Sequence, residues 1–146
     1  MRLHALICRL VFPALAALAF LCGPALAAEP APSCPEEMDD AQLQGRWEGR
    51  LQDSGERVLI TLGPHPEWKA MVKGRIERKS EQQSPQMAGD VDDGTVTLEE
   101  SRDGQRISAT WFGQVVEGSC GREIRGEFLE GEDRPARPFV LRKLAP

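Results

Sequence analysis

From residue 43 onward the chain is a succession of short apolar–polar alternations broken at glycine-containing turns, and this repeat restricts the fold more than any other feature. In Leu43-Gln44-Gly45-Arg46-Trp47-Glu48-Gly49-Arg50-Leu51, the residues Trp47, Gly49 and Leu51 share one face, with Arg46, Glu48 and Arg50 on the other. A period of two is that of a half-buried strand. Folding at Ser54-Gly55 pairs Leu51 with Val58, Gly49 with Ile60 and Trp47 with Leu62. The loop Gly63-Pro64-His65-Pro66-Glu67 then sets Leu62 against Trp68, Ile60 against Ala70 and Val58 against Val72, in a third strand that runs to about Arg78. Residues 79–87 are polar and form the longest internal loop.

Further turns follow at Asp93-Gly94, Asp103-Gly104 and Glu117-Gly118. The first pairs Val91 with Val96. The second pairs Glu100 with Ile107, Leu98 with Ala109 and Val96 with Trp111. The third pairs Trp111 with Ile124, Ala109 with Gly126 and Ile107 with Phe128. All five turns keep one apolar face, and a slip of one residue at any of them would carry core side chains into water. A last strand at 138–144 makes about eight, all antiparallel neighbours. The expected fold is therefore an all-β up-and-down meander barrel over 43–146, closed by pairing the last strand with the first. An open two-layer sandwich is the alternative.

Residues 1–27 have the parts of a secretory signal. Arg2 and Arg9 precede an apolar run from Leu10 to Leu21, and Ala25-Leu26-Ala27 supplies the cleavage site. Leu21 before Cys22 disfavours lipidation, and the run is shorter than the roughly 20 residues that cross a bilayer. Cleavage after Ala27 leaves 16 basic residues against 23 acidic, a net charge of −7. An acidic domain without a basic block argues against nucleic acid or an anionic membrane as partner, and no membrane insertion is expected after the signal is removed. The expected location is secreted or periplasmic. Such a compartment allows Cys34 and Cys120 to form a disulfide. Residues 28–42 are Pro-rich and acidic, an extended lead-in with one helical turn within 35–42. In the meander this lead-in, the 64–66 loop and the 93–94 and 117–118 turns share one barrel end, so both cysteines reach it and the lead-in plugs it.

Leu43-x-Gly45-x-Trp47 at the head of the first strand resembles the opening of the calycin barrels, lipocalins and avidins among them. The resemblance implies that Trp47 closes one barrel end and that a basic residue of the final strand packs across it. Arg142 and Lys143 are both placed for this, because Val140/Arg142/Leu144 and Phe139/Leu141/Lys143 are both credible inward sets. The lipocalin Thr-Asp-Tyr turn is absent. The chain has no Tyr at all, so the tyrosine that avidins use on biotin's polar head has no counterpart.

The inward face places Trp47, Trp68 and Trp111 toward the plugged end, and small residues, Gly49, Ala70, Gly74, Gly89, Ala109 and Gly126, at mid-height. Leu51, Val58, Ile76, Ile107 and Phe128 lie toward the mouth. Small residues at mid-height suggest room for one small, largely apolar ligand, against the alternative that neighbouring side chains fill it. Two charges break the face. Glu100 near the mouth is either a fraying strand end or a carboxylate aimed at a ligand. Arg122 reads as an inward, structural charge. His65 lies between two prolines and reads as a surface residue. No nucleophile has a base beside it, Asp90, Asp92 and Asp93 lack calcium-loop spacing, and neither an enzyme nor a cofactor or metal is expected. Two functions remain open: a carrier of a small apolar ligand inside the barrel, or a protein-binding module acting through loops such as 79–87 and 130–137.

Overall fold

The computed structural model describes residues 38–131 and 133–146. Within these, a single helical turn α1 (Asp40–Leu43) precedes eight strands. They are β1 (Gly45–Leu51), β2 (Arg57–Pro64), β3 (Val72–Arg78), β4 (Gln86–Asp92), β5 (Thr95–Ser101), β6 (Ala109–Val115), β7 (Glu123–Leu129) and β8 (Arg137–Lys143). The strands form a closed barrel in sequence order, every pair antiparallel, with β1 hydrogen-bonded to β8. The up-and-down barrel read from the turn spacing is the fold observed. The signal and the lead-in as far as residue 37, Cys34 among them, lie outside the described residues.

Alternation holds along the strands. Trp47 and Leu51 of β1, Ile60 and Leu62 of β2, Leu98 of β5, Trp111 of β6 and Ile124 of β7 are all buried. Pairing differs from expectation at four of the five turns. Trp47 faces Ile60 rather than Leu62, Ile60 faces Ile76 rather than Ala70, Leu98 faces Trp111 rather than Ala109, and Trp111 faces Phe128 rather than Ile124. Only Val91–Val96 across Asp93-Gly94 is as read. Every departure is an even number of residues, so no strand turns over.

The longer loops have local causes. Between β2 and β3, His65 Nδ1 accepts from the amides of Glu67 at 3.1 Å and Trp68 at 3.2 Å, and the His65 amide donates to Met71 O at 2.9 Å. The loop therefore runs to residue 71, and Trp68 and Ala70, expected inside, are exposed. Between β5 and β6, Asp103 Oδ1 accepts from the amides of Gln105 and Arg106, each at 2.8 Å. Ile107, also expected inside, is put outside. Side-chain acceptors that satisfy backbone amides compete with the sheet ladder for those residues. After β6, Gly118, Cys120 and Gly121 take positive φ of 74°, 53° and 67°. They support two consecutive turns, which leave Arg122 exposed rather than inward.

At the plugged end α1 is capped by Asp39, whose carboxylate accepts from the Gln42 amide while the Gln42 side chain accepts from the Asp39 amide. Leu43 is fully buried, and its carbonyl accepts the Trp47 indole N–H at 2.8 Å. Of the two basic candidates Lys143 is the one on Trp47, its Nζ 5.4 Å from the ring centroid and donating to Gln42 O. Arg142 points outward and donates to Glu123 at 3.0 Å.

Candidate functional site

At Gly49, part of the expected mid-barrel space, neighbouring side chains press close. A methyl group built on Gly49 would lie 2.5 Å from Val58 Cγ2 and 2.9 Å from Leu141 Cδ2. One on Gly126 would lie 2.0 Å from Phe112 O, and one on Gly89 1.9 Å from Thr97 O. Glycine at Gly89 and Gly126 thus permits close strand approach, as tightly coiled barrels require, and at Gly49 it makes way for large neighbours. Met87, assigned to a loop from sequence, is a buried residue of β4. Trp111 packs on Phe128 at 4.7 Å and on Phe139 at 4.9 Å. Ala109 and Phe128 are inward and buried as expected.

Glu100 neither frays into solvent nor points into a void. It is fully buried and receives Arg78 through both guanidinium nitrogens, Nη1 at 2.9 Å, and the Trp111 indole N–H at 2.6 Å. Burial alone would pull the Arg78 guanidinium down, but the bond from Glu100 and the charges of Glu100, Glu81 and Glu56 push it above its ordinary value. Above this pair lies a mouth cavity of about 180 Å³, lined by Leu51 and Phe128 and by charged side chains. Arg102 bridges Glu81 at 3.2 Å and Glu130 at 3.3 Å, tying loop 79–85 to loop 130–136. Arg137 holds Asp53 at 2.7 Å, tying in loop 52–55. Ion pairs thus cross the mouth.

Apolar surface lies instead on the outside. Trp68 is 56% exposed and Ile107 60%. Their loops leave opposite ends of the barrel and fold back over β3, β4 and β5, enclosing a groove of about 240 Å³. Ala88 is on its wall, with Lys73, Glu99, Gln86 and Arg106 around it. The indole is stacked on His65, centroids 4.5 Å apart and planes inclined by 16°. That contact and the two amide hydrogen bonds to His65 hold the loop and its indole in one arrangement.

Of the residues singled out from sequence, Trp47, Gly49, Glu100, Ala109, Trp111, Gly126 and Phe128 come together inside the barrel, while Trp68 and Ala70 lie in the outer loop. At the groove, His65 was read as a plain surface residue and Ile107 as an inward one, and neither was assigned to a site. Among the described residues no cluster of His, Cys, Asp and Glu is arranged to hold a metal. No family model matches the chain, and no curated protein sequence matches it.

Proposed function

We propose that this domain is an exported, non-catalytic binding module that engages an extended segment of another protein in the outer groove, with the barrel as scaffold. The observation that carries this reading is the placement of its apolar anchors. Trp68 and Ile107 stand exposed at one groove, whereas Trp47 and Trp111 are fully buried in a packed interior. Exposed aromatic and aliphatic side chains held in a preformed concavity are the anchors from which protein interfaces draw most of their energy. Lys73 and Arg106 balance Glu67 and Glu99 around the groove. That balance suits a polypeptide of mixed composition better than a polyanion. Export follows from the signal at 1–27, and a bond between Cys34 and Cys120 belongs to the same reading. Its support is Met38, which packs on Gly121 (a methyl built there would touch Met38 Sδ at 3.5 Å) and so brings the lead-in to the loop holding Cys120.

A photocrosslinking side chain at Gln105, in the groove, and at Glu48, on the opposite wall, tests the proposal in natively exported protein. A discrete protein adduct is expected from position 105, lost on Trp68→Ala and on Ile107→Ser and absent from position 48. Adducts alike at both positions, or indifferent to those substitutions, would sink it. A lipophile that raises the unfolding midpoint would favour the carrier function instead, since only a ligand of the folded state does so.

A further inference from the structure

His65 is the only histidine after residue 27, and its place in the loop gives it one defined chemical state. Nδ1 accepts two backbone amides, those of Glu67 and Trp68. A ring nitrogen that accepts carries no hydrogen, so the imidazole is neutral with its proton on Nε2. Protonation places a hydrogen on Nδ1, and both amides then face a donor. The stacking contact with Trp68 survives the change, because a cation over an indole face is attracted to it. The two hydrogen bonds that shape the backbone do not survive. Pro64 and Pro66 on either side hold their own φ angles, leaving the chain few ways to re-form the turn around a charged ring.

We propose that His65 is a pH-sensitive catch on the Trp68 anchor. Neutral, it holds the loop so that the indole is presented to the groove; protonated, it releases the loop and weakens docking. This rests on the reading of the groove as a docking surface. Histidine is the side chain whose charge changes most readily near neutral pH, which is what a catch of this kind requires. The charges sharing the groove or its loop are Glu67 and Lys69 from the His65 loop, Lys73 from β3, Glu99 and the buried, Arg78-paired Glu100 from β5, and Arg106 from loop 102–108. Both signs are present, so protonation meets no single-signed field.

The opposite side of the groove supplies an internal control. Asp103 caps its loop by the same device, accepting amides two and three residues ahead. Those amides of Arg106 and Gln105 hold its carboxyl below the usual range, so it remains an acceptor where His65 does not.

Nitrogen-15 NMR on the mature protein between pH 8 and pH 5 tests the catch without any partner. At pH 8 the imidazole should show the Nε2–H tautomer. On acidification the Glu67 and Trp68 amides should shift along the imidazole titration curve, with loss of their exchange protection, while Gln105 and Arg106 stay still. His65→Asn keeps an acceptor two and three residues behind the same amides but does not titrate, so the pH step should vanish with the loop still ordered. His65→Phe keeps a ring for the indole and removes the acceptor, so the amides should be unprotected already at pH 8. An Nδ1–H tautomer at pH 8, amides that ignore the imidazole titration, or a pH step persisting in His65→Asn would each overturn the proposal. Such a failure would leave the crosslinking result standing, whereas a failed crosslink would leave the loop's response to pH standing and remove the docking that the catch acts on.

Discussion

Replacing Glu100 by Gln tests how the barrel is held at its mouth. The carboxylate is fully buried and takes three hydrogen bonds, two from Arg78 and one from Trp111. The amide keeps one acceptor oxygen, which Trp111 can retain, but turns an NH₂ group toward a guanidinium that can only donate. Arg78, with a side chain 6% exposed, then loses its shortest ion pair and keeps only longer ones. Removing one member of a buried pair costs about 3–5 kcal/mol, most of it the charge left behind. Glu81 at 3.4 Å and Glu56 at 3.7 Å stay near Arg78 and offset part of this. The lower end, about 3 kcal/mol, is therefore expected. With a urea slope of about 1.5 kcal/mol per M, the midpoint falls by about 2 M.

The companion variant separates lost charge pairing from lost packing. Arg78→Met added to Glu100→Gln removes the stranded charge and keeps apolar volume over Phe128, so the double variant should recover most of the midpoint. Urea titrations followed by tryptophan emission give both numbers, because Trp47 and Trp111 are fully buried in the native state. A Glu100→Gln protein with an unchanged midpoint at unchanged slope would refute the reasoning. Losses that simply add in the double variant would do so as well, since residues in one network do not behave independently.

Trp47→Ala should destabilise the domain by about 3–5 kcal/mol, as Leu43 and Lys143 lose the surface they close upon; calorimetry measures it. Ala109→Leu adds bulk to a position only 2% exposed, so a filled interior predicts a loss of about 1–3 kcal/mol, whereas a roomy one predicts none and a loss of ligand uptake. Burial, with the charges of Asp40 and Asp92, raises the Asp90 carboxyl above 3.8. The folded state therefore holds that proton more tightly than the unfolded state, and stability falls as pH rises through the raised value. Asp90→Asn should raise the neutral-pH midpoint, by up to about 0.5 kcal/mol, with the gain vanishing below pH 3.8. Mass spectrometry of natively exported protein should find Cys34 and Cys120 bonded, and two free thiols would end that proposal.

How far the fold was legible follows from which signals are local and binary. Inside or outside is set by alternation alone, and Trp47, Leu51, Leu98 and Ile124 are inside as their parity demands. Pairing across a turn depends on how many residues the turn consumes, and that is decided by side-chain acceptors that a dipeptide signal does not reveal. Asp93-Gly94 needs nothing beyond two left-handed residues, φ 45° and 74°, and its register was readable. The Asp103 and His65 loops recruit amides two and three residues ahead, so Ile107 and Trp68 were misplaced. The buried pair was half legible. Glu100 stood out as a charge on an apolar face, yet Arg78 stands at the end of the inward series Val72, Gly74, Ile76. Two opposite charges breaking apolar faces near the same barrel end was the signal that could have joined them.

The distribution of chemistry between inside and outside bears on function more than the barrel itself does, since one fold hosts many activities. A barrel that carries an apolar guest keeps apolar wall exposed within and a mouth the guest can pass. Here the mouth holds an Arg–Glu pair beneath bridging guanidiniums, so a guest would have to part buried charges, at a cost that apolar contact with a small ligand does not readily offset. The exposed indole and isoleucine lie across the groove from each other on the outer wall, each delivered there by a loop that one side chain caps in the same way. Shortening either loop to the tighter connection its sequence suggests would draw that anchor into the sheet and remove one side of the groove. The two capped loops are thus what separates this barrel from a plain meander, and they carry its exposed indole and isoleucine to the outer groove.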